Sequence, residues 1–335
     1  MQNRLMTGEI KPWSRRQLLQ VGLAGAGIAV AGFALQTLKK ERGTPAKVPP
    51  LPLENAPLPG SDVNPMAALR DFDYGTVKRE NGRTIREFRI TARNSTIELN
   101  SAVTFNTWNF NNRIPGPTLR AKQGDRIRVL FLNQGGHSHS LHFHGVHPAE
   151  VDGVRPVRQG AAAIYEFDAE PFGVHLYHCH TEPVSRHIGK GLYGMLIIDP
   201  PQGRPPADEI VLIMAGYDVN EDSRNEFYAF NGQPHYYMMH PIRIYQNQLI
   251  RMYLLNMIEL DEAATFHTHA NFFQVYRTGR TLTPNEEADV ITMGTAERHI
   301  LEFTYRYPGK YMFHPHQDMF AGAGCMGLFE VIPET

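Results

Sequence analysis

Cysteine is almost missing from this chain. Of 335 residues only Cys179 and Cys325 carry a thiol, too few for a disulfide framework. An excess of charge of either sign is missing too. Lys and Arg number 33 against 34 Asp and Glu, so no basic field exists to gather nucleic acid, and that class is set aside. Helical periodicity is absent beyond the N-terminal segment. What is there is a 42% hydrophobic and 10% aromatic composition, that of a globular protein with sizeable cores, at a length that suggests two domains.

The first forty residues read as a targeting segment and stand outside the fold. Ser14-Arg15-Arg16-Gln17-Leu18-Leu19 precedes an apolar run from Val21 to Leu35 that is rich in Ala and Gly. This is a twin-arginine export pattern, which moves proteins already folded around a cofactor. No clear cleavage site follows, so the segment is either cut or kept as a membrane anchor, although the run is short for a span. In both cases the expected location is periplasmic or extracellular. Residues 41–66 are Pro-rich and are expected to form an extended linker.

From about Phe72 short alternating runs take over. REFRITA, TIELN, RIRVLFLN and AAIYEFDAE each read as a strand bounded by Gly, Pro or Asn, so the chain is expected to be all-β. It also repeats itself. Tyr228–Asn256 parallels the stretch beginning at Trp108 in order and spacing: an Asn-rich turn, a Pro, a strand, a turn, then a strand ending in Leu-Asn. Each copy leads to one His-x-His pair, then a second, then a closing apolar strand, YGMLIID or MGLFEVI. Two β-sandwich domains follow, 67–202 and 203–335, with a junction near 200–208.

The chemistry centres on His178-Cys179-His180. Along a strand, alternation sends Cys179 to one face and both histidines to the other. A soft thiolate near imidazoles suits a blue-copper site, and clustered imidazoles suit copper or iron, so one tripeptide can serve two metal sites. A buried cysteine beside two chance histidines is the plain alternative. The other His-x-His pairs, His142/His144, His267/His269 and His314/His316, argue against it. A structural zinc site needs only four ligands and would leave the rest unexplained. In the first domain His139, Cys179 and His187 complete a His-Cys-His set, whereas Ala264 and Pro315 stand at the matching places of the second. His137, His147, His235, His240 and His299 read as ordinary core or surface residues.

L-H-F-H-G, Y-H-C-H, F-H-T-H and F-H-P-H, with N-x-R-I-P-G-P-T-L-R-x-x-x-G-D-x-I, resemble a two-domain multicopper oxidase of the laccase-like group, a relative of copper nitrite reductase, over residues 85–335. The resemblance implies two cupredoxin-like Greek-key β-sandwich domains with the blue copper in the first. It also implies a homotrimer in which each trinuclear cluster lies between domain one of one chain and domain two of the next. By position His139, Cys179 and His187 would hold the type 1 copper, and His142 and His267 the type 2 copper. His144, His178, His180, His269, His314 and His316 would hold the type 3 pair, making four coppers per chain. The axial position falls to Leu192 or Met195; Met195 aligns with Leu328 of the closing strand, which favours Leu192. Cys325 occupies the matching place in domain two.

The implied activity is one-electron oxidation of a phenol, aromatic amine, metal ion or small redox protein, coupled to four-electron reduction of dioxygen to water. Electrons would arrive near His187, usually the ligand nearest solvent, and pass from Cys179 to His178 and His180. Asp152, in E-V-D-G, resembles the family's proton-delivering carboxylate, with a solvated loop acid as its plain alternative; Asp289 is the weaker candidate. Copper nitrite reductase is the rival enzyme, but it carries Asp where this chain has His142. A copper-binding electron carrier or copper-tolerance protein is the non-catalytic rival, and it would not need the second-domain histidines. A cuprous-ion oxidase would want a Met-rich segment, yet the 13 methionines are scattered.

Overall fold

A computed structural model describes residues 58–333. The export segment and the first part of the Pro-rich segment lie outside the described residues. Among those described, no helix is long and apolar enough to cross a membrane. The rest is strand with four short helices, the longest being Val184–Gly189, as the all-β reading requires.

Four sheets make two pairs. In the first pair, one sheet runs Phe72–Asp73, Thr118–Lys122, Tyr193–Asp199, Gly173–His178, His142–Phe143. The other runs Thr76–Glu80, Arg83–Asn100, Arg126–Asn133, Ala162–Asp168, with Val103–Phe110 hydrogen-bonded to Arg83–Asn100. Their inner faces meet in one core that includes Phe88, Val129, Phe167, Leu119, Tyr177 and Leu196. In the second pair, one sheet carries Asp208–Tyr217, Ile250–Met257 and Arg298–Phe303, and the other carries Ala263–Thr268, Gly309–His314 and Gly327–Ile332. Leu212, Leu254 and Leu301 meet Phe266, Phe313 and Phe329 between them. Residues 200–207 connect the two pairs.

A third core joins the halves, and it explains the unbroken apolar runs. Val174, Leu176, Met195 and Ile197 of the first half pack on Val211, Ile213, Tyr253 and Leu255 of the second. Strands covered on both faces need no polar face, so Tyr193–Asp199 and Ile250–Met257 are buried almost end to end. Alternation along Tyr193–Asp199 divides its residues. Met195 and Ile197 face the second half, while Leu196 and Ile198 face the core of the first.

Two expectations are corrected. REFRITA and TIELN are one 18-residue strand, Arg83–Asn100. The polar stretch around Asn94 is a change of partner rather than a turn: the strand pairs with Arg126–Asn133 up to Ala92 and with Val103–Phe110 beyond it. The end of the Pro-rich segment is not an extended linker. Asn64 caps a helical turn, Pro65–Ala68, by accepting the Ala67 N–H at 2.8 Å. Leu58, Met66 and Leu69 pack against the core of the second half, and the Tyr237 hydroxyl donates to the Pro65 carbonyl at 2.6 Å.

Candidate metal centres

The strand Gly173–His178 ends at His178, and Cys179 lies just beyond it. The alternation persists through this end. The Cys179 thiol turns inward, 3.3 Å from Nδ1 of His187 and 3.8 Å from Nδ1 of His139, and the two imidazole nitrogens are 3.2 Å apart. The Ser140 N–H donates to the sulfur at 3.4 Å. His187 is delivered by the helix Val184–Gly189, a six-residue turn too short for helical periodicity to appear in sequence. Burial and the neighbouring His187 and His137 depress the His139 pKa to about 3, and burial holds that of His187 at about 4. Both rings are therefore neutral at pH 7, the form that binds a metal. A buried thiol with two neutral imidazoles aimed at one point fits copper.

Leu192, not Met195, belongs to the buried cluster that contains Cys179. Its carbonyl accepts the Cys179 N–H at 3.0 Å, and its own N–H donates to the His187 carbonyl at 3.2 Å. Met195 lies in the core between the halves. His187, expected nearest solvent, is only 4% exposed. The indole of Trp108, whose ring lies 4.8 Å from that of His187, packs over it.

On the other face stand His142, His144 and His178, with ligand nitrogens within 4.8 Å of one another. The His180 ring lies 5.1 Å from that of His142. Nδ1 of His178 donates to the Cys179 carbonyl at 2.9 Å, which leaves Nε2 with a free lone pair facing Nε2 of His144 at 2.8 Å. Nδ1 of His142 donates to the Asp152 carbonyl at 2.8 Å, and the Asp152 carboxylate lies 3.1 Å from the same nitrogen. Burial depresses His144 to about 3 and His178 to about 4. Gly153 permits the turn that brings Asp152 here: its φ is +86°, and a Cβ would lie 2.1 Å from the Leu141 carbonyl oxygen.

The second half repeats this arrangement. Nδ1 of His267 donates to the Asp289 carbonyl at 2.7 Å, and Nδ1 of His314 donates to the Pro315 carbonyl at 2.7 Å. Nε2 of His314 faces Nε2 of His269 at 3.1 Å, and the His316 ring lies 5.5 Å from that of His267. The Asp289 carboxylate stands farther off, 4.0 Å from His267. Among the described residues, no group of three ligand atoms within 4.8 Å draws on both halves. The place of the thiolate site is filled with carbon. Phe320 stands where His187 does and stacks on Tyr228 at 4.2 Å, in the same buried cluster as Ala264 and Cys325.

Sequence reasoning passed over three residues. His147 is corrected from an ordinary histidine. Its Nε2 lies 3.3 Å from the Asp152 carboxylate and 3.3 Å from Nδ1 of His142, a convergence that its five-residue spacing from His142 did not reveal. His175 is buried and bridges the His144 and Pro171 carbonyls at 3.0 and 2.9 Å. Trp108 carried no sequence signal beyond its place in the repeat. His235, His240 and His299 stay out of the metal-ligand groups.

Sequence patterns of the multicopper oxidase family match residues 91–203 and 204–335. A solved multicopper oxidase is 47% identical, with a TM-score of 0.80 over 82% of this chain and 98% of that one. The copper-containing nitrite reductase of Neisseria meningitidis is 24% identical, aligned over 78% of this chain and 71% of its own. A copper nitrite reductase from Nitrosomonas europaea, 24% identical, shares the fold at a TM-score of 0.70 over 74% and 94% of the two chains. Two cupredoxin-like sandwiches, both covered by the family's patterns, place this chain in the multicopper oxidase family as a copper oxidoreductase.

Proposed function

We propose that the chain is a laccase-like oxidase with dioxygen as electron acceptor. His139, Cys179 and His187 would hold the type 1 copper, with Leu192 beside Cys179 in the same buried cluster. His142 and His267 would hold the type 2 copper, and His144, His178, His180, His269, His314 and His316 would hold the type 3 pair, four coppers per chain in all. Copper in these sites would supply one-electron oxidation of a small reducing substrate or redox protein and four-electron reduction of dioxygen to water. The protein's own part is to hold His139, His144, His178 and His187 neutral by burial, to fix the tautomers of His178, His142, His267 and His314 through the carbonyls of Cys179, Asp152, Asp289 and Pro315, and to join the two sites through the main chain at Cys179.

The observation that carries this reading is the pair of matched half-sites. Each presents four histidines in the same arrangement, and neither holds the eight imidazoles that a shared cluster would use. A second copy of the chain would complete them, which agrees with the homotrimer with clusters between subunits that the family resemblance implies. Apolar surface is present for such packing: Val154, close to Asp152, is 58% exposed, and Phe272 and Met319, each three positions after a second-half histidine, are 61% and 65% exposed. The N-terminal twin-arginine segment sends the folded protein to the periplasm or beyond. Asp152 serves proton delivery to the cluster.

Oxygen uptake by the copper-loaded chain with a one-electron donor, read beside copper content, visible absorption and native mass, is the test. Four coppers per chain, a blue band, a trimer and oxygen reduced to water support the oxidase. Turnover of nitrite without oxygen uptake would move the assignment to the reductase, and a blue protein with neither activity would leave a carrier.

A further inference from the structure

We infer that Trp108 is the group through which electrons reach the blue site, an inference that rests on reading His139, Cys179 and His187 as its ligands. These residues are 0%, 0% and 4% exposed, so a donor in solvent meets almost no ligand edge. The indole lies against both imidazoles. Its ring lies 4.8 Å from that of His187 and 5.6 Å from that of His139, and the residue is itself partly exposed. Exposed His137 flanks it at 4.5 Å, and the Arg186 guanidinium lies 5.7 Å over its ring. The main chain fixes the position: Trp108 pairs with Asn94 across the sheet, and its N–H donates to the Lys190 carbonyl at 3.0 Å.

The second half supplies the contrast. Tyr228 occupies the same place, its N–H donating to the Ala323 carbonyl at 3.1 Å. It stacks on Phe320 and is 2% exposed, an aromatic that only fills a core. Trp108 instead touches two imidazoles and keeps a surface toward solvent. In the step assigned to it, one electron leaves an outer-sphere donor lying against the indole and one is taken up at the site the three ligands form. No bond forms or breaks, and no proton moves at Trp108. Arg186 adds a cation above the ring, part of whose charge is answered by Glu221 at 3.3 Å, so an anionic one-electron donor is a suitable probe.

The test is anaerobic bleaching of the blue band by hexacyanoferrate(II) in the copper-loaded full chain and in Trp108→Phe and Trp108→Leu. A relay predicts slower bleaching in the order Trp, Phe, Leu with the band itself retained. A mere cover predicts the reverse, because removing it bares His187; bleaching as fast or faster in Trp108→Leu overturns the inference. If Trp108→Leu loses its blue band, the Trp-to-Phe comparison decides. A second readout needs no turnover. The chain has 2 tryptophans, Trp13 and Trp108, so in a Trp13→Phe background all tryptophan emission is that of Trp108. Copper loading should quench it, and unchanged emission counts against the contact. A wild-type chain without a blue band overturns the ligand reading and this inference together. A blue chain with unchanged bleaching in Trp108→Leu overturns this inference alone.

Discussion

Nδ1 of His178 donates to the carbonyl oxygen of its neighbour Cys179 at 2.9 Å. The thiol of Cys179 belongs to one cluster and Nε2 of His178 to the other, so one peptide unit and one hydrogen bond separate the two sites. The second half keeps the same bond between His314 and Pro315 but has no thiol to connect. Position in the repeat therefore preserved the geometry, while the residue type decided whether a thiol stands beside it.

Replacing that thiol separates the sites cleanly. Cys179→Ser should lose the blue band and one copper per chain while keeping the others, and donor-driven oxygen uptake should fall to background. Cys325→Ala should change neither colour nor copper content, because Cys325 lies in a carbon-filled pocket. Metal analysis and visible spectra check both.

Asp152 is placed to act on His142 rather than on the blue site. Asp152→Asn should slow oxygen uptake by about a hundredfold, the low end for a lost proton-transfer group, while anaerobic bleaching of the blue band stays as in the wild type. His147→Gln should show the same split with a smaller loss. Equal slowing of both half-reactions would assign Asp152 to folding alone.

Leu192→Met would bring a thioether into the cluster around Cys179. The exchange nearly conserves volume and should cost less than about 1.5 kcal/mol of stability. The reduction potential of the blue site should fall, since the axial position tunes it. Met195→Leu should leave the potential where it is. Redox titration at the blue band distinguishes the two, and a shift in the Met195 variant alone would reverse the axial assignment.

These variants also mark how far the sequence could be read. The imidazole clusters were legible because i, i+2 spacing on an extended strand forces two imidazoles to one face, whatever the surrounding packing. The repeat made both half-sites visible for the same reason. His147 was not legible, because it reaches Asp152 through a loop whose path depends on Gly153. The choice between Leu192 and Met195 turned on which core each faces, and that depends on a second sandwich packing on the first. Strand Arg83–Asn100 looked like two because an exchange of partners and a turn leave the same polar interruption.

Arg120 ties the halves together. It binds Asp199 at 2.8 and 2.9 Å and Glu209 at 2.7 and 3.1 Å, just before and just after the connecting segment, with the Phe72 ring 4.9 Å away. Arg120→Met would leave two carboxylates facing each other and should cost about 3 kcal/mol, at the lower edge for buried pairs because Asp199 is 29% and Glu209 22% exposed. The urea midpoint of the copper-free chain reports it.

His299 is 1% exposed, its Nε2 is buried without a hydrogen-bond partner, and burial lowers its pKa to about 4. The unfolded chain therefore takes up this proton first. The stability it contributes is complete above the ordinary imidazole range, near pH 6.5, and is lost as pH falls toward 4. Within that window His299→Leu should remove about 1.4 kcal/mol per pH unit from the acid slope of the copper-free chain. Urea titrations at several pH values measure the difference, and parallel slopes would contradict the buried neutral ring.

The segment ahead of the first sandwich is fastened to the second, through Leu58, Met66, Leu69 and the Tyr237 hydroxyl. Tension applied at the N-terminus would therefore not peel the first sandwich strand by strand. It would be carried across the molecule into the distal one, so the two should resist extension as a single mechanical body, and a tether at that end would pull on the half that lacks the thiolate.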